Sequence, residues 1–115
     1  MTTSFVVLMT KGPFCGEAEW PFRFVDLALD SGHKVQVFLA EDATWIAKKG
    51  QQYDTYPNLE EYVNDAVKKG AEIKVCETCR KRRNLNEQDY LPGITKGTMT
   101  EFISAAAKAD KVLTF

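Results

Sequence analysis

A continuous apolar run near the start of the chain, Ser4–Thr10, sets the first constraint on the fold. It is rich in β-branched and large side chains and does not alternate polar with apolar residues. Such a run is typical of a strand covered on both faces, as in the parallel sheets of α/β proteins. Further strand-like segments follow at His33–Ala40, Ala71–Val75 and Lys111–Phe115. The sequence therefore predicts several strands that belong to one buried sheet.

Segments with helical periodicity separate these strands. The spacing of apolar residues predicts helices from about Glu17 to Leu29, from Leu59 to the glycine that ends it at position 70, and from about Lys96 to Lys108. Shorter helices are expected around Trp45 and over Cys76–Arg83. Because strands and helices alternate, the pattern indicates an α/β fold with a central, mostly parallel sheet of about five strands and helices on both faces.

Two helices carry apolar side chains that we expect to face the sheet. In the first helix these residues are Trp20, Phe24, Leu27 and Ala28. In the last helix they are Met99, Phe102, Ile103 and Ala106. The segment Asn86–Ile94 is expected to be irregular and ends in a turn. It could include a short fourth strand.

Length and composition narrow the class of protein. The 115 residues are 44% hydrophobic, which predicts a single domain over residues 1–115 with a sizeable core. The 15 basic and 16 acidic residues are balanced, which gives no electrostatic reason to bind nucleic acid or a membrane surface. No run approaches the roughly 20 apolar residues of a membrane span, and the first residues lack the features of a signal peptide. A cytoplasmic protein with reduced thiols is expected.

Two of the three cysteines, Cys76 and Cys79, lie three residues apart where the third strand passes into a short helix. Unpaired N–H groups at a helix start, and cations such as Lys74 and Arg80–Arg83, stabilise a thiolate, which is the reactive form of cysteine. The pattern predicts a reactive Cys76, with Cys79 as a candidate helper or resolving thiol. The alternative is that both cysteines are small buried apolar residues and the basic run is a solvated helix face.

Ligands of open α/β sheets bind at the carboxyl ends of the strands. Cys15, Glu41 and Asp42 follow the first and second strands, so they could converge with Cys76. His33 precedes the second strand and belongs to the opposite edge. This position of His33, and the absence of a second Cys-x-x-C motif, argue against a zinc site. No phosphate-binding loop or other cofactor motif is present, and we expect neither a metal nor a cofactor.

The order of these motifs resembles the DsrE-like (DsrE/DsrF/DsrH) sulfur-relay family, in its Cys-x-x-C subgroup. The resemblance is carried by Cys76-Glu77-Thr78-Cys79 with the basic helix after it, by Leu91-Pro92-Gly93-Ile94, and by the closing segment Ala109–Phe115. The first strand, the helix that ends at Ser31-Gly32 and the second strand fit the same family, so the resemblance covers nearly the whole chain. It implies a three-layer α/β/α sandwich and assembly into homotrimers or hexamers.

The resemblance also implies a function. In the sulfur-transferring members, a cysteine after a central strand accepts sulfur as a persulfide and passes it on, and that cysteine corresponds to Cys76. Cys79 matches the second cysteine of the subgroup, and Cys15, Lys74 and Arg80 are candidate neighbours of the site. The expected partners are sulfur donor and acceptor proteins or small thiols. The chain departs from the family at Arg82-Arg83-Asn84, where Asn84 is expected to take the left-handed cap that a glycine commonly provides.

Two other functions remain open on the sequence. One is a non-catalytic binding or assembly subunit of an oligomer, in which the cysteines are structural. The other is a dithiol redox protein in which Cys76 and Cys79 form a disulfide. The sequence context of the motif differs from that of thioredoxins, which makes the redox hypothesis the weaker one.

Overall fold

The computed structural model describes residues 2–13, 18–51 and 58–115. Within this part of the chain, one sheet contains the strands Ser4–Met9 (β1), Lys34–Leu39 (β2), Glu72–Cys76 (β3), Ile94–Gly97 (β4) and Lys111–Thr114 (β5). The strand order is β4-β3-β2-β1-β5, and all pairs are parallel. The α/β fold and the parallel five-stranded sheet that the sequence predicts are confirmed.

Helices connect the strands and cover both faces of the sheet. The α-helices of the described residues are Glu19–Asp30 (α1), Leu59–Lys68 (α2), Glu77–Arg82 (α3) and Met99–Lys108 (α4). Two 3₁₀ helices, Glu41–Ala47 and Glu87–Asp89, follow β2 and α3. In this part of the chain, no helix combines the length and the apolar character needed to cross a membrane.

The main core lies between the sheet and the pair α1 and α2. Alternate side chains of the strands, such as Val37 and Val75, point into it and are fully buried. From α1, Phe22 and Val25 fill the same core. Burial of each such side chain contributes roughly 1.5–3 kcal/mol to folding. The side chains on the opposite face of the sheet therefore contact α4 or solvent.

The predicted inward face of α1 is wrong in part. Ala28 is buried and Phe24 packs at the edge of the core, but Trp20 and Leu27 are 68% and 60% exposed. The helix has apolar residues around most of its circumference, so their spacing fits more than one face. The face that contains Phe22 is the one that packs on the sheet.

Helix α4 covers the other face of the sheet only loosely. Its Phe102 ring packs edge-on against Phe38 of β2, with 5.1 Å between ring centroids. No α4 side chain is fully buried, and Met99 and Ile103 are 71% and 60% exposed. The prediction that this apolar face packs inward is therefore wrong for those two residues, because no other described element covers them.

The start of α4 also differs from the prediction. Residues 94–97 form β4, so the fourth strand lies at the end of the expected irregular segment and beyond it. Thr98 then caps α4 by accepting a hydrogen bond from the Glu101 backbone N–H at 3.2 Å. Gly97 lies beside Cys76 in the register of β3 and β4. A Cβ atom at Gly97 would lie 2.9 Å from the Cβ of Lys74, so the two strands need a glycine here.

Candidate thiol site at the carboxyl edge of the sheet

Cys76 is both the last residue of β3 and the N-cap of α3. Its extended backbone allows the chain to pass from strand to helix without a connecting loop. The side chain is half-buried, and its Sγ accepts a hydrogen bond from the Cys79 backbone N–H at 3.4 Å. The carboxyl edge of the sheet therefore presents a half-buried cysteine whose sulfur already receives a hydrogen bond.

Cys79 has a different environment. It is 7% exposed, and burial raises the pKa of its thiol, as does the hydrogen bond with the Cys76 side chain. A hydrogen bond from the Glu41 backbone N–H acts on this pKa in the opposite direction but does not outweigh the burial. Both cysteines are free thiols. The raised pKa keeps Cys79 protonated at neutral pH, so this thiol is a hydrogen-bond donor.

Glu41 comes from the segment that follows β2 and approaches Cys79. The Cys79 thiol lies 3.8 Å from Oε1 of the Glu41 carboxylate. Glu41 has a φ of 50°, a left-handed conformation that is unfavourable for residues other than glycine. The residue in this unfavourable conformation carries a carboxylate side chain. The segments after β2 and β3 therefore meet at this edge of the sheet, where Glu41 contacts Cys79.

Arg83 links α3 to the 3₁₀ helix that begins at Glu41. Its guanidinium donates to the Asp42 carboxylate at 2.9 and 3.1 Å and to the Cys79 carbonyl at 3.1 Å. The same group lies 3.6 Å from the second carboxylate oxygen of Glu41. The sequence pattern does not distinguish Arg83 from the rest of its basic run. Its spacing of three residues from Arg80 was the available signal, because these two side chains share a half-buried face of α3.

The two predicted cationic neighbours are engaged by carboxylates. Lys74 forms an ion pair with Glu101 of α4 on the loosely covered face of the sheet. Arg80 donates to Glu77 at 2.6 Å and to Glu87 at 2.8 Å. These pairs hold α3 and α4 against their neighbours. Arg83 is the cation of the basic run that contacts the Cys79 backbone.

Other predicted residues lie elsewhere. Cys15 falls outside the described residues. His33 accepts a hydrogen bond from the Thr3 backbone N–H at 3.0 Å at the amino edge of the sheet, as its position in the sequence predicts. An open groove at that edge is lined in part by His33 and Lys34, and among its described lining residues there is neither Cys76 nor Cys79. In residues 2–13, 18–51 and 58–115, no three His, Cys, Asp or Glu side chains cluster in a way that could hold a metal ion.

Comparison with known proteins identifies the family. The sequence matches the family model described as DsrE/DsrF-like over residues 3–115. The chain belongs to the DsrE/DsrF-like family. This DsrE-like chain is therefore a member of a group of proteins that is generally associated with sulfur relay.

Several relatives match the DsrE-like chain over nearly their whole length. An uncharacterized protein of Methanocaldococcus jannaschii is 37% identical over 112 residues, which is 96% of this chain and 98% of that protein. An uncharacterized protein of Methanopyrus kandleri is 34% identical over 110 residues, which is 95% of this chain and 91% of that protein. YchN of Escherichia coli is 26% identical over 113 residues, which is 96% of this chain and 97% of YchN.

The fold matches that of a solved DsrE-like structure. The crystal structure of YchN from Escherichia coli superposes with a TM-score of 0.90 at 24% sequence identity. The superposition covers 98% of this chain and 99% of YchN. Because the likeness extends over nearly the whole of both chains, it establishes the DsrE-like α/β fold.

Proposed function

We propose that this protein is a sulfur carrier with sulfurtransferase-like activity, and that Cys76 carries the sulfur as a persulfide. The observation that supports this most directly is the placement of Cys76. It is half-buried at the carboxyl edge of a parallel sheet, in a family associated with sulfur relay, and its Sγ receives the Cys79 N–H. Ligands of such sheets bind at this edge. The buried Cys79, which matches the Cys-x-x-C subgroup, acts as its helper.

Sulfur transfer through Cys76 needs only thiol chemistry. The Cys76 thiolate attacks the outer sulfur of a donor persulfide, the donor's S–S bond breaks, and the donor leaves as a thiol. The product is the Cys76 persulfide. An acceptor thiolate then attacks the outer sulfur, and Cys76 leaves as a thiolate. Donor and acceptor are proteins or small thiols of the cytoplasm, and no metal or cofactor takes part in either step.

Mass spectrometry after incubation with a small-molecule persulfide tests this proposal. We expect Cys76 to gain the mass of one sulfur atom, about 32 Da. The Cys76→Ser variant should lose this gain, whereas Cys15→Ser should keep it. Far-UV circular dichroism of Cys76→Ser checks that the fold is retained. A wild-type protein that gains no sulfur at any cysteine would refute the proposal.

A second candidate function is a binding or assembly subunit without sulfur chemistry. Its support is the exposed apolar surface of α1 (Trp20, Leu27) and of α4 with β5 (Met99, Ile103, Val112), because large apolar side chains grouped on a surface mark contacts with other chains. We propose that the protein forms a homotrimer or hexamer in either case. Light scattering measures the mass in solution, and a monomer would contradict the assembly.

The cysteines separate these functions from each other. A subunit with structural cysteines predicts slow labelling of Cys76 in the folded state and partner binding that survives Cys76→Ser. The weaker alternative is a dithiol redox protein. It predicts a reversible disulfide between Cys76 and Cys79 whose reduction potential is close to that of the cellular thiol pool. Sulfur transfer predicts rapid labelling of Cys76 and persulfide formation that depends on it.

A further inference from the structure

We propose that Glu41 is the general base that takes the proton from Cys79 when this thiol attacks the sulfur of Cys76. The role deepens the proposed function and rests on it, because the attack is a second route by which the carried sulfur leaves Cys76, as hydrosulfide instead of by transfer to an acceptor thiol. It assigns Glu41 to catalysis and gives Cys79 a defined task as the resolving thiol.

The contacts of Glu41 support this role. Its carboxylate oxygen Oε1 lies 3.8 Å from the Cys79 sulfur, within hydrogen-bonding distance for a thiol donor. Its other carboxylate oxygen lies 3.6 Å from the guanidinium of Arg83, which also binds Asp42 and the Cys79 carbonyl. Arg83 thus ties the Glu41 segment to the helix that carries Cys79. Glu41 makes these contacts from a backbone in the left-handed conformation.

Cys79 needs a base because it is a poor nucleophile as a thiol. Its pKa is raised by burial and by the hydrogen bond with Cys76, so little thiolate forms at neutral pH. The groups that face it are Cys76 from the start of α3, Glu41 from the segment after β2, and Arg83 from the end of α3. Of these, Glu41 is the proton acceptor. The backbone of Glu41 lowers the pKa of the Cys79 thiol, which favours the thiolate that results.

The release step balances without an outside oxidant. Cys79 gives its proton to Glu41 and attacks the inner sulfur of the Cys76 persulfide, forming a Cys76–Cys79 disulfide. The bond between that inner sulfur and the carried sulfur breaks, and both electrons leave with the carried sulfur. This sulfur takes the proton from Glu41 and departs as hydrosulfide. Two cysteines are oxidised while one sulfur is reduced, and a dithiol reductant restores the free thiols afterwards.

The experiment uses an aromatic disulfide, dithiobis(nitrobenzoate), on the full chain with Cys15 replaced by serine. Reaction at Cys76 releases one coloured thiolate and leaves an aromatic mixed disulfide on that residue. Attack by Cys79 then releases the second coloured thiolate, so the second phase reports the proposed step without a persulfide. Cys79→Ser should abolish this phase. The variants compared are Glu41→Gln and, as a matched control, Glu61→Gln on the exposed side of α2.

We expect Glu41→Gln to slow the second phase at least about tenfold at neutral pH, since general bases typically contribute 10²–10⁴-fold. The deficit should shrink as the pH rises and Cys79 ionises without help. Glu61→Gln should stay within about twofold of the parent. The sign is informative: if Glu41 acted only through its charge, its removal would ease ionisation of Cys79 and speed the second phase.

Three outcomes would overturn the role of Glu41: an unchanged second phase in Glu41→Gln, a faster one, or no second phase in the parent protein. Persulfide loading of Cys76 is measured separately, by mass, on the parent protein. If the protein takes up no sulfur but the second phase depends on Glu41, the proposed function fails and the assignment of Glu41 stands. If Cys76 takes up sulfur but the second phase does not depend on Glu41, the proposed function stands and the assignment of Glu41 fails.

Discussion

Removal of one hydroxyl group, in the variant Tyr90→Phe, should stabilise this protein. Tyr90 follows the second 3₁₀ helix and bridges to Lys48 through its backbone. Its side chain is 9% exposed, and its hydroxyl is buried with no hydrogen-bond partner among the described residues. A buried hydroxyl without a partner costs about 1–3 kcal/mol of folding free energy, judged from substitutions in proteins.

The expected gain in stability is this cost, reduced by the packing energy that is lost with the contacts of the hydroxyl. The phenyl ring of Phe fills nearly the same space, so the void left behind is small. We therefore expect the free energy of unfolding to rise by about 1 kcal/mol, or the Tm by roughly 4 °C for a domain of this size. Tyr62→Phe is the matched control. Tyr62 is half-buried on α2, and its variant should differ from the wild type by less than about 0.5 kcal/mol.

The pH dependence of stability provides an independent measurement on the same variant. Burial raises the pKa of Tyr90 from 10.0 to about 12. Between these values the unfolded chain loses the phenol proton while the folded protein keeps it, so stability falls as the pH rises through this window. The variant has no phenol proton to lose at this position, and the advantage of Tyr90→Phe should grow from neutral pH toward pH 12.

Urea denaturation at neutral pH and at several values between pH 10 and 12 measures both effects. The wild type and the two variants are compared at each pH, so titration of lysines cancels in the difference. A Tyr90→Phe protein that is less stable than the wild type at neutral pH would show that the hydroxyl makes a hydrogen bond, and the argument from its isolation would be wrong.

Two further predictions concern the frame of the fold. Phe22→Ala should lower the free energy of unfolding by about 3–5 kcal/mol, because it empties a fully buried site of α1, whereas Arg23→Ala on the exposed side should change it by less than about 0.5 kcal/mol. Equal effects in denaturant titrations would contradict the assigned face. Asp110→Asn should destabilise the start of β5, since its carboxylate accepts from the Ser4 backbone N–H at 2.8 Å. These Ser4 hydrogen bonds hold the pKa of Asp110 low, so their contribution is present at neutral pH and is lost as acid protonates the group; an unchanged acid unfolding midpoint in the variant would count against this.

The sequence predicted the fold because its strands and helices have clear patterns. The sequence-based prediction was wrong where it had to say which element covers the apolar face of a helix. Met99 and Ile103 have helical spacing, yet the face they share is open, because periodicity describes the helix and not its neighbour. The start of α4 was recoverable: Thr98 followed three residues later by Glu101 is a capping box. β4 was hard to recognise, since its central residues are polar and exposed.

The candidate site was predictable to the level of the sheet edge. The rule that strand ends share an edge places Glu41 near the cysteine pair from the sequence alone. It does not say which thiol a carboxylate contacts, and the approach of Glu41 to Cys79 depends on one left-handed residue. The role of Arg83 depends on the docking of α3 against the 3₁₀ helix, a contact between segments about forty residues apart that sequence spacing does not encode.

The loose attachment of α4 and β5 affects how the native protein opens. Segments with few buried apolar side chains exchange their amide hydrogens early, in partial unfolding that leaves the rest of the molecule intact. Helix α4 has no fully buried side chain, and β5 is the strand at the edge of the sheet beside β1 in the part of the chain that the structure describes. Strands β2 and β3, which carry the thiol site, lie inside the sheet. Amide hydrogens of α4 and β5 should therefore exchange before those of β2 and β3.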